Sequence, residues 1–272
     1  MRTRIPVRPT RLAGAVAASV VTALAATPYA QADAAHPAVP SGTTFHFTGR
    51  PEVGALFDAP DYTGTDAAHF CTGSVIASPR GDLVLTAAHC VYNASKHTYN
   101  HAVTDITFAP GYDQAPRADL GGVWNVVQID VAPGYLADGD TESDYAILVI
   151  APHDGRQIQR YTGALLPTAA FLPEPVEVVG YNNLEWDAQG NEPITCTALA
   201  FEETDDGQPY ARFNCPDYQD GTSGGPWIVR GTDLVMGVIG GYEQGGDTPD
   251  WSYSALFGPT MLKFYLATAF GS

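Results

Sequence analysis

Positive charge is scarce in this chain. Thirteen Lys and Arg stand against thirty Asp and Glu, a formal net charge of −17 at pH 7. Four of the Arg and one Asp fall in the first 34 residues, so 9 basic and 29 acidic residues remain beyond them, net −20. Such a surface repels nucleic acid and anionic membranes and attracts basic peptides at low salt, so no nucleic-acid partner is expected. Cysteine is sparse too, four in 272 residues, and no pair has the C-x-x-C spacing that marks a zinc site. No apolar run after the first 26 residues is long enough to span a bilayer. No phosphate loop, dinucleotide fingerprint or internal repeat is present, so no cofactor is expected. No helical pattern of 10–15 residues separates the apolar runs, which argues against a parallel βαβ sheet. No histidine follows His153.

What the chain does have begins with a leader. Arg2, Arg4, Arg8 and Arg11 precede an Ala-rich apolar run from Leu12 to Ala26, and Ala30-Gln31-Ala32 and Ala32-Asp33-Ala34 fit the small-x-small cleavage pattern. This is the layout of a secretory signal peptide over residues 1–34, and it predicts an extracellular protein that leaves the membrane after cleavage. Residues 35–50 are rich in Pro, Gly, Ser and Thr with little periodicity, and read as a leader or short propeptide. Residues 51–272 then form the expected domain.

Short β-branched and aromatic runs bounded by turn residues fill that domain. They fall at 53–57, 70–76, 82–86, 123–131, 144–150, 176–181, 193–201, 210–215, 226–230, 234–241 and 251–257, and predict an all-β sandwich or barrels. Pro259 opens one helix, with Met261, Leu262, Tyr265, Leu266 and Ala269 on its packing stripe. An even cysteine count in an exported chain predicts two disulfides, with three possible pairings. Cys196 and Cys215 flank EETDDGQPY, whose Asp206-Gly207 is a hairpin signal, so these two are expected to bridge a hairpin. That leaves Cys71 with Cys90. Asp138-Gly-Asp140-Thr-Glu142 looks calcium-like but lacks the Gly of the loop pattern, and reads as a solvated acidic loop; no metal is expected.

Three segments carry chemistry: LTAAHC at 85–90, SDYAIL at 143–148 and GTSGGPW at 221–227. A Ser hydroxyl is a weak nucleophile and needs an adjacent base, for which His89 is the candidate. Asp144 begins an apolar strand, where a charge is either exposed or buried with a partner such as His89. The glycines at 221, 224 and 225 permit a sharp turn that aims the N–H groups of Gly221 and Ser223 at one point. The same stretch also satisfies G-x-S-x-G, but an α/β-hydrolase places its His after the Ser, and here none follows Ser223.

TAAHC, DYAIL and GTSGGP, in that order, resemble the three signature segments of the chymotrypsin/trypsin family, and Cys71 with Cys90 resembles the bridge that brackets its His. The likeness extends over nearly all of residues 53–270, and the wording is most similar to the bacterial secreted branch, which includes glutamyl-endopeptidase-like enzymes. It implies two six-stranded antiparallel barrels with a C-terminal helix, a monomer acting on peptide or protein substrates, and His89, Asp144 and Ser223 as a catalytic triad. Gly221 and Ser223 are then expected to form the oxyanion hole, and Asp217, Gly240 and Gly241 to bind substrate. Asp217, six residues before Ser223, is expected to make the enzyme cleave after Arg or Lys. The glutamyl preference would want a His where Ile239 stands.

Two features depart from the family. Thr222 replaces the Asp that receives a new N-terminal ammonium in trypsin-like zymogens, and Arg50-Pro51-Glu52-Val53-Gly54 replaces the IVGG start. The oxyanion loop is therefore expected to form without that ammonium. Gly240 falls where the family carries a Ser that supports the catalytic Asp, so Asp144 is expected to lack one hydrogen bond. A protease fold kept as a binding module is the rival from another class, and an esterase on the same fold is a third reading.

Overall fold

The computed structural model describes residues 41–58, 68–205 and 208–271. The signal-peptide reading and the Asp206-Gly207 turn lie outside the described residues. Twelve strands build two closed barrels. In the first, β1 (Val53–Asp58), β2 (His69–Ile76), β3 (Leu83–Thr86), β4 (Ile106–Pro110), β5 (Trp124–Val131) and β6 (Ala146–Ile150) pair in the order β1-β2-β3-β6-β5-β4 and close back on β1. In the second, β7 (Glu174–Gly180), β8 (Ile194–Asp205), β9 (Gln208–Phe213), β10 (Pro226–Val229), β11 (Leu234–Ile239) and β12 (Ser252–Leu256) repeat that order as β7-β8-β9-β12-β11-β10, again closed. Every barrel pairing is antiparallel. Closure leaves no free sheet edge in either barrel, the usual solution to unpaired strand groups.

The sequence reading finds all of these strands except β4. ITFAP is short, has no alternation and ends in Pro110, yet all five residues are buried. Runs apolar on both faces have a simple cause. Val84 and Leu148 point into the first barrel with Leu56, Phe108 and Trp124. Their neighbours Leu83, Leu85 and Ile147 point out, against Ile228, Val235 and Val238 of the second barrel. Strands covered on both faces read as continuous apolar stretches instead of alternating ones. The second barrel's interior holds Val178, Ile194, Phe213, Trp227 and Met236.

Among the described residues, four α-helices connect or close these sheets: α1 (Ala88–Val91), α2 (Pro133–Asp138), α3 (Gln159–Thr162) and α4 (Pro259–Phe270). In α4, Met261, Tyr265 and Ala269 pack into the cluster shared by the two barrels, with Leu262 and Phe264 against it. Leu266, expected on the packing stripe, is half exposed instead. Arg80 of the first barrel donates to the carbonyls of Thr268 and Gly271, where the helix's negative end welcomes a cation. No helix among the described residues is long and apolar enough to cross a membrane.

Residues 41–50, part of the expected leader, lie against the second barrel. Phe45–His46 forms a short strand antiparallel to Ile194–Thr195, and the Gly42 N–H donates to Asn214 O at 2.8 Å. Arg50 pairs with Glu177 at 3.1 Å and Asp233 at 3.0 Å.

Candidate active site

The His89 segment follows directly from β3. Ala87 is extended, and α1 then gives a single turn that carries His89 to the seam between the barrels. Cys90 is tied to Cys71 of β2, and Cys196 to Cys215 across the β8–β9 hairpin, so both expected bridges are present. Asp144 ends the short turn Thr141–Ser143 just before β6.

Asp144 is fully buried. Its Oδ1 accepts the His89 backbone N–H at 2.8 Å, and its Oδ2 accepts His89 Nδ1–H at 2.7 Å. A third donor, the Gly241 N–H, reaches Oδ2 at 2.8 Å from the second barrel. The expected deficit at Asp144 is thus corrected: the backbone one residue beyond Gly240 donates where the family's Ser hydroxyl is missing. Three N–H groups satisfy a carboxylate that would otherwise be costly to bury. Burial, reinforced by the charge of Asp144, pushes the nearby Tyr135 phenol up, so it stays protonated.

The Ser223 segment lies between β9 and β10 and is pressed against the first barrel. Ser223 is half-buried, and its carbonyl accepts the Thr72 N–H at 2.8 Å. The Gly224 N–H donates to Ile239 O at 2.8 Å, immediately before Gly240. Gly221 and Gly224 have φ of +99° and +81°, the left-handed region glycine occupies freely. A Cβ at Gly224 would also collide with Thr72 O and Thr86 Oγ1, and would sit 2.9 Å from Ala87 N. The loop therefore lies directly on the backbone that leads into His89. His89, Asp144 and Gly241 line one groove, and the Ser223 loop packs on Ala87, two residues before His89. An open groove of about 990 Å³ runs past His89 and Asp144, bounded by Tyr92, Tyr135, Gly241 and Glu243.

Asp217 does not join them. It is exposed, with φ +70°, and faces a separate hollow of about 230 Å³ beside Phe45, His46 and Trp186. Its neighbour Tyr218 turns inward, where its hydroxyl donates to Val178 O at 2.7 Å. Ile239 is buried in the core of the second barrel.

Two residues that sequence reasoning passed over grip the Ser223 loop. Thr72 was hidden inside the apolar run of β2, and Asn182 in the Tyr-Asn-Asn that follows β7. Their only sequence signal is a polar residue in or beside a strand. Thr72 Oγ1–H donates to Gly221 O at 3.0 Å, and Asn182 bonds the backbone of Asp217 and Gln219, both at 2.9 Å.

No curated protein matches the chain. Among solved structures, it is similar to the protease Anisep from Arthrobacter nicotinovorans, with 19% identity and TM-score 0.69 over 84% of this chain and 100% of that one. It is also similar to the thermostable serine protease AL20 from an extremophilic microorganism, with 22% identity and TM-score 0.65 over 82% and 98%. A Glu endopeptidase aligns at 17% identity and TM-score 0.61 over 85% and 97%. At these identities the likeness shows the fold. The family model described as Trypsin matches residues 57–252, nearly all of both barrels. The chain belongs to the trypsin family and is a serine-type endopeptidase.

Proposed function

We propose that this is a secreted endopeptidase that cleaves peptide bonds through Ser223, His89 and Asp144. The observation that carries the reading is the pairing of half-buried His89 with fully buried Asp144 beside an open groove, with the Ser223 loop pressed on the same backbone. His89 Nδ1–H donates to Asp144, which leaves Nε2 as the free acceptor for the Ser223 proton. Ser223 Oγ attacks the carbonyl carbon as its proton passes to Nε2. The carbonyl oxygen becomes an oxyanion that accepts the Gly221 and Ser223 N–H groups. Collapse breaks the C–N bond, and the leaving amine takes the proton from Nε2. Water, deprotonated by the same nitrogen, then releases the acid and restores Ser223. Gly240 and Gly241 supply the wall along which the substrate backbone runs.

Secretion is supported by the leader and by two disulfides, which persist in oxidising compartments. A preference for Arg or Lys rested on Asp217. With that carboxylate facing another hollow, the reading extends to peptide bonds and not to a basic residue.

A serine-reactive fluorophosphonate probe tests the proposal. Wild type is expected to label, and Ser223→Ala and His89→Ala are not. Ser223→Ala is expected to cut kcat on peptides by on the order of 10⁶-fold. Folded wild type that takes no label would make the chain a binding module, and hydrolysis confined to esters would make it an esterase.

A further inference from the structure

The oxyanion donors proposed above are backbone N–H groups, so their aim depends on the peptide planes of residues 220–224. In a planar trans peptide the N–H points opposite to the C=O, and holding one fixes the other. Every carbonyl from Asp220 to Ser223 is held here. Asp220 O accepts the Asn183 N–H at 2.6 Å, which sets the Gly221 N–H. Thr222 O accepts the Gly225 N–H at 2.8 Å, which sets the Ser223 N–H. Gly221 O accepts Thr72 Oγ1–H at 3.0 Å, and Ser223 O accepts the Thr72 N–H at 2.8 Å.

Backbone groups hold the two planes that set the donors, and two side chains brace the stretch around them. Thr72 is fully buried on β2, and its hydroxyl also accepts the Tyr181 N–H at 3.0 Å, so it ties the first barrel both to the loop at Gly221 and to the end of β7. Asn182 is buried at the start of the next connection. Its Nδ2–H donates to Asp217 O and its Oδ1 accepts the Gln219 N–H, so it clamps the loop's entry. Thr222 turns its hydroxyl to Gln219 O at 2.8 Å, inside the loop, and offers no carboxylate for an ammonium.

We propose that Thr72 and Asn182 are positioning residues that hold the oxyanion loop in its competent shape, so that the hole forms without a newly cut N-terminus. This rests on the reading of Ser223 as nucleophile. The site is pre-formed with residues 41–50 still laid on the second barrel, and cleavage at Arg50 is not an activating step.

Thr72→Val keeps the volume and the N–H but removes the hydroxyl; Thr72→Ser restores it. The whole chain is used, and fluorophosphonate labelling of wild type comes first, since its failure sinks the nucleophile reading itself. With labelling established, Thr72→Val and Asn182→Ala are each expected to lose about 10- to 100-fold in kcat with KM nearly unchanged, because the loop is misaimed and not removed. A peptidyl boronate, which mimics the tetrahedral state, is expected to weaken by the same factor. Thr72→Ser is expected to recover most of the loss. Folded Thr72→Val with wild-type kcat and boronate affinity overturns the proposal. Should Thr72→Val not fold, Asn182→Ala is judged by the same two readouts. Wild type carrying residues 41–50 that wakes only when trimmed past Arg50 also overturns it.

Discussion

Restoring the family's serine at position 240 is expected to harm this enzyme. A Cβ there would lie 2.9 Å from Asp144 Oδ2 and 3.4 Å from both Asp144 Cγ and Ala87 Cβ. Oδ2 is the oxygen that holds His89 Nδ1–H at 2.7 Å and the Gly241 N–H at 2.8 Å. Neither neighbour is the loose end of a flexible side chain. Either the carboxylate backs away by a few tenths of an ångström, or the Gly240 backbone withdraws and takes the Gly241 N–H with it. Overpacking of this kind costs about 1–3 kcal/mol in stability. A misplacement of about 1 Å costs on the order of 10²-fold in rate, so a shift of a few tenths predicts a fall of roughly 3- to 30-fold in kcat. Gly240→Ala and Gly240→Ser should both show it, the serine hydroxyl giving no rescue. The assay is kcat and KM on a fluorogenic peptide, with thermal melting beside it. Gly258→Ala, where a Cβ meets nothing within 4 Å, is the control for activity and should leave kcat in place. Wild-type kcat and melting temperature in Gly240→Ala would refute the claim that the missing side chain is what lets the backbone donate to Asp144.

Replacing both cysteines of the Cys71–Cys90 bridge by Ser, with a sequence separation of 19, should cost roughly 3 kcal/mol in a denaturant titration. Activity should fall as well, because Cys90 adjoins His89, and a stable variant with full activity would show the bridge does not hold the base. His69 is buried, with one ring nitrogen 3.0 Å from Gly190 O and Nδ1 without a partner among the described residues. Burial, only partly offset by that hydrogen bond, holds its pKa below the ordinary histidine value of about 6.5. As pH falls below that value the unfolded chain takes up a proton that the folded one refuses, so stability should drop through that window and level off once the folded pKa is passed. His69→Gln should flatten that part of the melting-temperature profile, and an unchanged slope would assign it to another group. Asp217→Ala should leave the relative cleavage of Arg, Lys and neutral peptides as it is; a selective loss on Arg and Lys would return Asp217 to the cleft.

The segments of the proposed triad are legible partly through local constraints and partly through the family resemblance of TAAHC, DYAIL and GTSGGP. Asp144 stands before an apolar strand, and burying a charge there demands a partner, so its pairing with His89 could be argued before any coordinates. The disulfides followed from a hairpin and a remainder. Asp217 stands exposed beside another hollow, which a count back from Ser223 does not reveal because it carries no information on where the chain turns. The Cys215-Pro216 corner and the left-handed turn at Asp217 reverse which side chain faces in, and Tyr218 takes the interior place. Strand β4 was missed because five residues buried on both faces leave no alternation to detect. Leu266 fell on the stripe of a helical wheel, but α4 lies in a cleft between barrels that takes Phe264 and leaves the far side of the stripe wet.

Thr72 and Asn182 belong to a different class of omission. Nothing in CTGSV or YNN marks a hydroxyl or an amide as a support for a loop 149 or 35 positions away, since the need for it arises only when two closed sheets meet. That meeting is reciprocal. The second barrel lends the Gly241 N–H to the Asp144 that orients His89 in the first. The first barrel lends the Thr72 hydroxyl and N–H to the loop that presents Ser223 from the second. Each barrel therefore supplies donors to the other's share of the proposed site. The apolar seam of Leu83, Leu85, Ile228 and Val238, closed by Met261 and Tyr265 of α4, is then more than stability. It sets the distance across which three hydrogen bonds between 2.8 and 3.0 Å must be kept. A substitution that loosens the seam should reach kcat before it reaches the folded fraction, because those bonds weaken steeply with a displacement that the core itself would tolerate.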